Sequence, residues 1–285
     1  TWTAEDAAGN SNTCTFDVIV VSELYPPVSC IGDQLKNNAD GTCSYTVSGT
    51  EFDATSTSGA AVLTHNYGSA PLSSSLAGAV FPVGTTLVTW TASQTINGIN
   101  YTNTCSFYIT VVDNEDPVIS APANINIGTN AGCYATIGNL GTPVTSDNCG
   151  VYQTWNNHYS YWGFPIGTTN VTWYVEDIHG NINSAIQTIT VVDDDAPVLG
   201  CPGSLCRQQD FGQTYYTVRD HEFDPYYISE CSGIQSRTYS FNGGAPVTAT
   251  TLAGVQVPNT VTTITWTVTD NAGNSSSCTI NIDIR

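Results

Sequence analysis

Positive charge is almost absent from this chain. One lysine, Lys36, and four arginines stand among 285 residues, and the formal net charge is −19. Nucleic-acid binding requires clustered Lys and Arg to displace phosphate counterions, so that class is excluded. Methionine is missing altogether. No apolar run approaches the roughly 18 residues that a membrane-spanning helix needs. No stretch sustains a helical hydrophobic period. Catalytic signatures are missing too. The four histidines, His65, His158, His179 and His221, lie in unrelated local contexts. There is no Gly-x-Ser-x-Gly elbow, phosphate-cradling glycine loop or His-x-x-x-His pair, so the chain reads as a non-enzyme. No leader peptide is recognisable, and the opening Thr1-Trp2 reads as mid-strand, the tail of something longer.

What is present is Thr, Val, Ser, Gly and Asn, the composition of strands and turns. A tryptophan recurs at positions 2, 90, 173 and 266, and three copies align without a gap: FPVGTTLVTWTA (81–92), FPIGTTNVTWYV (164–175) and VPNTVTTITWTV (257–268). The period is that of a small all-β domain, so the chain is a string of like domains. Each copy alternates, with Val88, Trp90 and Ala92 on one face and Thr89 and Thr91 on the other, then Cys105, Phe107, Ile109 and Val111 against Ser106, Tyr108 and Thr110. Period two with one apolar face describes a strand packed on a core, and the Trp reads as a β-sandwich anchor. Between the two strands a D-x-x-G-N turn recurs at 6–10, 177–181 and 270–274. Acidic, proline-bearing joints at 22–28, 113–119 and 193–199 divide the chain into 1–21, 22–112, 113–192 and 193–285.

The motifs carry a resemblance. ELYPPVSC, DNEDPVISAP and DDDAPVLGCP at unit starts, SDNCG in the middle, FPVGTT and FPIGTT before the Trp, and AEDAAGNSNTC and TDNAGNSSSC at unit ends are similar to the hyalin repeat, or HYR domain, over the whole chain. The resemblance implies an all-β protein of tandem immunoglobulin-like β-sandwich domains in an elongated string. It also implies an extracellular, cell-surface or matrix setting associated with adhesion, as in large bacterial surface adhesins. Ten cysteines at repeat-like positions agree with an oxidising compartment.

That family has up to four cysteine positions per repeat. Unit 193–285 is read as filling all four, with Cys201, Cys206, Cys231 and Cys278; unit 113–192 keeps only Cys133 and Cys149, with Ala121 and Ala185 in place of the first and fourth. Joint loss implies pairing of first with fourth and second with third. The expected bridges are Cys201–Cys278, Cys206–Cys231, Cys133–Cys149 and Cys30–Cys105, with Cys14 and Cys43 left over. A link between Cys133 and Cys231 would overturn that scheme. A zinc site at Cys201 and Cys206 is disfavoured, because both cysteines fit repeat positions and the histidines are scattered.

In an immunoglobulin-like domain the loop after the second strand and the last hairpin turn lie at the pole that receives the incoming linker. That would bring Asp147, Asn148 and Asp177 towards Asp113, Glu115 and Asp116, and Asp270, with Glu230, towards Asp193, Asp194 and Asp195. Carboxylates converging from three segments suit calcium, a hard cation taking six to eight oxygens, as a structural cofactor; no organic cofactor is implied. No ion is expected at 22–27, where only Glu23 is acidic. The aromatic run 151–164, with Tyr152, Trp155, Tyr159, Tyr161 and Trp162, is open to three readings: a protein or self-contact, a local mini-core, or a sugar-stacking surface.

The sequence thus predicts a structural repeat segment of an extracellular adhesin stalk or surface filament, mediating adhesion or display, with neighbouring repeats, itself, a surface glycan or a protein ligand as partner. Two alternatives stay open: a glycan-binding module using 151–164, and a filament subunit polymerised by strand exchange through residues 1–21, a hairpin that cannot fold alone.

Overall fold

The protein is known from a computed structural model that describes residues 1–16, 25–68, 74–130, 132–158 and 163–285. Every regular element among them is a β-strand. The chain divides into two compact units. One comprises Thr1–Pro117, Ser146–Val151 and Asp177–Asn181; the other comprises Val118–Thr145, Tyr152–Glu176 and Ile182–Arg285. Three hydrophobic cores form within residues 28–111, 119–191 and 201–284.

The long hairpin is the backbone of each core. Strand Gly84–Ile96 pairs antiparallel with Ile99–Val112, and Gly167–Asp177 and Thr263–Asp270 pair likewise with Ile182–Val192 and Ser275–Ile284. The alternation read from sequence is realised: Val88, Trp90, Ala92, Phe107, Ile109 and Val111 are buried. The opposite face carries hydroxyl ladders, Thr89 with Ser106 and Thr267 with Ser277. A short strand adds parallel to each hairpin, Gln34–Asn37 on Ile109–Val112, Ile125–Gly128 on Ile189–Val192, and Leu205–Arg207 on Ile282–Ile284. A small second sheet covers the apolar face, for instance Ser44–Thr46 paired with Val80–Pro82. This is the immunoglobulin-like sandwich in tandem.

Trp90 and Trp266 are fully buried and Trp173 nearly so. A Trp removes some 150–250 Å² from water, about 4–6 kcal/mol of apolar burial. Its indole N–H still needs an acceptor. Trp90 donates to the Phe52 carbonyl and Trp266 to the Phe223 carbonyl. Both acceptors sit in a Glu-Phe-Asp triplet, 51–53 and 222–224, whose Asp caps the Leu76 or Leu252 amide and whose Glu takes a tyrosine hydroxyl and a cation: Tyr45 and Lys36, or Tyr216 and Arg207. Burial works to raise the Glu51 and Glu222 carboxyls, but these donors hold both below the usual carboxylate range. In the middle core the triplet is absent, and Gln187 replaces it. Its fully buried amide accepts from Trp173 and donates to the carbonyls of Ala123 and Leu140.

The disulfides correct the expected scheme. Cys30–Cys105 and Cys201–Cys278 form, with Cα atoms 5.8 and 6.4 Å apart. The other two are Cys43–Cys149 and Cys133–Cys231, so neither Cys133–Cys149 nor Cys206–Cys231 exists, and Cys14 and Cys206 are free and exposed. The second cysteine of one repeat bonds the third cysteine of the next. The error arose at Cys206. Leu205 pairs with Ile282 as Gln34 pairs with Ile109, which sets Cys206 level with Leu35 on the edge strand. The second position immediately precedes the Ser44–Thr46 and Tyr134–Ala135 strands, and in the last repeat that residue is Thr214, before Tyr215–Thr217. With Thr214 in place, Cys43 and Cys133 find their partners and no second-position cysteine is left over.

Candidate metal centres

Two acidic clusters form, one inside each unit. In the first, ligand oxygens of Asp113, Asp147 and Asp177 lie within 4.8 Å of one another. The recurrent turn supplies Asp177: its Oδ1 accepts from the amides of His179 and Asn181, and its Oδ2 from the Asn181 amide group, while Gly180 takes a φ of 94° that a side chain would resist. Asp177 is almost fully buried. Burial alone would raise its carboxyl, and the Asn181, His179 and Gly180 donors bring it below the usual range. The second segment, 146–151, supplies Asp147, whose Oδ2 accepts from the Cys149 and Gly150 amides at 2.7 and 2.8 Å. The linker supplies Asp113, whose Oδ1 accepts from Asn38 at 3.0 Å and whose Oδ2 stands 2.9 Å from His179 Nδ1.

Asp147 Oδ1 and Asn148 Oδ1 are buried atoms that meet no donor. A buried oxygen without a donor costs about 1–3 kcal/mol, so two on consecutive residues of one loop favour a cation there. Apart from His179 Nδ1, which Asp113 Oδ2 engages, the groups gathered here are oxygens, and oxygens sharing one calcium stand at most about 5 Å apart at Ca–O distances near 2.3–2.6 Å. The residues fit calcium.

The second cluster joins Asp193, Glu230 and Asp270, again within 4.8 Å. Asp193 is 7% exposed and its Oδ2 has no donor; Asp270 is fully buried. Asp270 repeats the turn chemistry of Asp177, accepting from the Asn274 amide and side chain, and Asn274 also donates to the Asp193 carbonyl. Glu230 Oε1 accepts from Cys231 N, Ser232 N and Ser232 Oγ.

Four of the ten acidic-site residues read from sequence are placed elsewhere. Glu115 turns away and accepts from the Gly41 amide, and Asp116 is exposed. Asp194 and Asp195 both accept from Thr129 Oγ1, and Asp194 lies so close over Gly128 that a Cβ there would meet its carboxylate. Asp113, Asp147, Asn148 and Asp177 converge, as do Asp193 and Asp270 with Glu230. Of the aromatic run, Tyr159, Tyr161 and Trp162 lie outside the described residues, as does Glu23. Tyr152 is 67% exposed; Trp155 stacks on Tyr174 with centroids 5.3 Å apart. Three positions apart on strand Val151–Asn156, Tyr152 and Trp155 point to opposite faces, so these two do not make one sugar-stacking platform. No helix among the described residues is long and apolar enough to cross a membrane.

No protein-family model matches the chain. Over its whole length it is 29% identical to hyalin of Strongylocentrotus purpuratus and 31% identical to hyalin of Lytechinus variegatus. It spans 23% of the first protein and 52% of the second. These are sea-urchin proteins and lend nothing to a bacterial setting. Among solved structures, Drosophila N-cadherin EC1-3 overlays on 89% of this chain and 97% of its own, at 13% identity and a TM-score of 0.34. The chain is similar to hyalin from end to end, and the domain it repeats is hyalin-repeat-like.

Proposed function

We propose that this chain is an extracellular, adhesion-related repeat segment whose inter-repeat joints are fixed by a disulfide and a structural calcium ion acting side by side. Its work is mechanical: it holds successive sandwiches in place so that a longer surface or matrix protein can display them. It carries no catalytic role. The observation behind this reading is that both acidic clusters combine three carboxylates from three separate segments with a buried oxygen that lacks a donor. Clustered carboxylates repel one another, and a divalent cation turns that repulsion into cohesion. The whole-length similarity to hyalin, the four disulfides and the acidic surface fit an extracellular repeat protein. Partners on this reading are further repeats of the same kind and surface molecules that the array meets.

Calorimetric melting of the oxidised full chain in calcium and in chelator tests the proposal. At a calcium concentration one hundred times the dissociation constant, a single site adds about 2.7 kcal/mol. For a repeat-sized domain that is a rise of some 11–22 °C in the melting temperature. Superimposable traces in the two buffers would rule calcium out.

A further inference from the structure

The two unexpected disulfides lie against the two acidic clusters, and the contact is direct. In the first unit the carboxylate of Asp147 accepts the backbone N–H of Cys149 itself, at 2.7 Å, and Cys149 is bonded to Cys43. The neighbouring Asn148 donates to the Thr42 carbonyl, one residue before that same Cys43. In the second unit the carboxylate of Glu230 accepts the N–H of Cys231 at 2.7 Å, and Cys231 is bonded to Cys133. A cavity of about 220 Å³ is walled by Gly132 and Cys231 on the disulfide side and by Asp193 and Glu230 on the carboxylate side. Asp193 is more than nine-tenths buried, and its Oδ2 is left without a donor. The same arrangement therefore occurs twice, from different residues: an acidic ligand, then the cysteine whose amide it holds, then a covalent tie to the preceding repeat.

We propose that each inter-repeat disulfide sets the affinity of the cation site beside it, so that reduction loosens calcium and bound calcium shields the bridge from reduction. This rests on the calcium reading above and adds redox control to it. The physical link is the loop. Residues 146–151 and 229–232 are each anchored by the cystine and by the carboxylate's own capping bonds. With the cystine cut, the loop gains conformational freedom, and cation binding must then pay the entropy of ordering it. Linkage requires the reverse effect of equal size: whatever affinity the bridge adds for calcium, calcium adds to the resistance of the bridge.

The redox step balances without a further reactant beyond a dithiol. A thiolate of the dithiol attacks one sulfur of Cys133–Cys231, giving a mixed disulfide and one cysteine thiolate. The second thiol of the reagent displaces the other cysteine. Two electrons pass to the cystine, two protons end on the cysteine sulfurs, and the reagent leaves as its own disulfide. Cys43–Cys149 follows the same course.

The test holds the full chain at equilibrium in a dithiothreitol redox buffer of fixed thiol-to-disulfide ratio, in calcium or in chelator, then traps thiols by rapid alkylation and maps them by mass spectrometry. Calcium is expected to shift the reduced-to-oxidised ratio of Cys133–Cys231 and Cys43–Cys149 about tenfold towards the disulfide, in the range of ordinary coupling between sites. It should leave Cys30–Cys105 and Cys201–Cys278 at their chelator ratios. A second measurement, calcium titration of C133S/C231S by calorimetry, should show one site weakened by a similar factor, and the alkylation experiment stands even where that variant fails to fold. Equal reduced-to-oxidised ratios in both buffers overturn the coupling, and so does equal protection of all four bridges, which would be a global effect. Oxidised protein that takes up calcium without protecting the bridges sinks only this inference. Oxidised protein that takes up none sinks the calcium reading with it.

Discussion

Asp147→Asn separates a cation site from a cluster of merely structural carboxylates, because the two make opposite predictions in the absence of metal. The substitution is nearly isosteric. The retained side-chain oxygen can still cap Cys149 and Gly150, the job of Asp147 Oδ2. The buried oxygen that lacks a donor becomes an amide N–H facing Asp113 and Asp177. Two like-charge contacts at no more than 4.8 Å are removed. Each is worth about 0.9 kcal/mol even at the dielectric constant of water, and more as solvent is excluded, so the gain is at least about 2 kcal/mol. In chelator the variant should therefore melt higher than the wild type, by about 8–16 °C for a repeat-sized domain. In calcium the order reverses in part, because the variant has lost an anionic ligand and most of its calcium-induced shift. Calorimetry on both proteins in both buffers gives all four values. A variant that melts lower in chelator, or that keeps the wild-type calcium shift, refutes the assignment of Asp147 as a ligand.

Gln187→Leu should be costly out of proportion to its conservative size. It strips the acceptor from Trp173 and leaves the Ala123 and Leu140 carbonyls bare, three hydrogen bonds at about 1 kcal/mol each plus the penalty of a buried indole N–H. Loss of about 3–5 kcal/mol, read by urea unfolding through Trp fluorescence, is expected; a loss under about 1 kcal/mol would mean the amide network is dispensable. Acid should also act through the turn aspartates. The Asp177 carboxyl is held below its ordinary value in the folded state, so its stabilisation is complete above about pH 4, near the unfolded-chain value, and fades as pH falls through the folded one. Near-ultraviolet circular dichroism should show Asp177→Asn less sensitive to acid over that range than the wild type; identical acid midpoints would assign the acid transition elsewhere.

Much of the fold was legible because its signals are local. A period-two strand with a buried Trp, a D-x-x-G-N turn whose carboxylate caps its own backbone, and a proline-marked joint each announce themselves within about a dozen residues. The first-to-fourth bridges were legible for a different reason, since Ala121 and Ala185 replace the first and fourth cysteines together in the middle repeat. The second-to-third bridges were not. Counting cysteines placed Cys206 at the second position, but strand register places it level with Leu35, and register is invisible until the parallel strand is docked. Joint retention of the two positions was a sound sign of pairing, yet it carried no information about whether the pairing lay within a repeat or across two. The Glu-Phe-Asp triplets at 51–53 and 222–224 were missed, although their recurrence ahead of Trp90 and Trp266, with Phe 38 and 43 residues before the Trp, was a readable signal. The acidic sites were legible in outline only. Of each Asp-rich joint just the first aspartate turns inward, because the next carboxylates find nearer donors at Gly41 or Thr129.

The hairpin Trp2–Glu5 with Ser11–Cys14 bears on how such a chain could assemble. Trp2 occupies the position at which Trp90, Trp173 and Trp266 are buried, and yet it is 73% exposed. Its turn is nonetheless complete, with Asp6 holding Ala8 and Asn10 as its counterparts do. Local chemistry therefore accounts for the hairpin's turn. Polymerisation by strand exchange would need a repeat elsewhere in a second copy whose own hairpin position stood empty. None is empty among the described residues: each of the three cores is already filled by its own Trp, and each of those indoles already has its hydrogen-bond acceptor. To admit Trp2, a second copy would have to expel a resident Trp and gain nothing in burial by the exchange. Cys14 stands exposed at the place where Cys105 and Cys278 bond a first-position cysteine, so the hairpin carries Trp2 opposite Cys14 in the same register as Trp90 opposite Cys105 and Trp266 opposite Cys278.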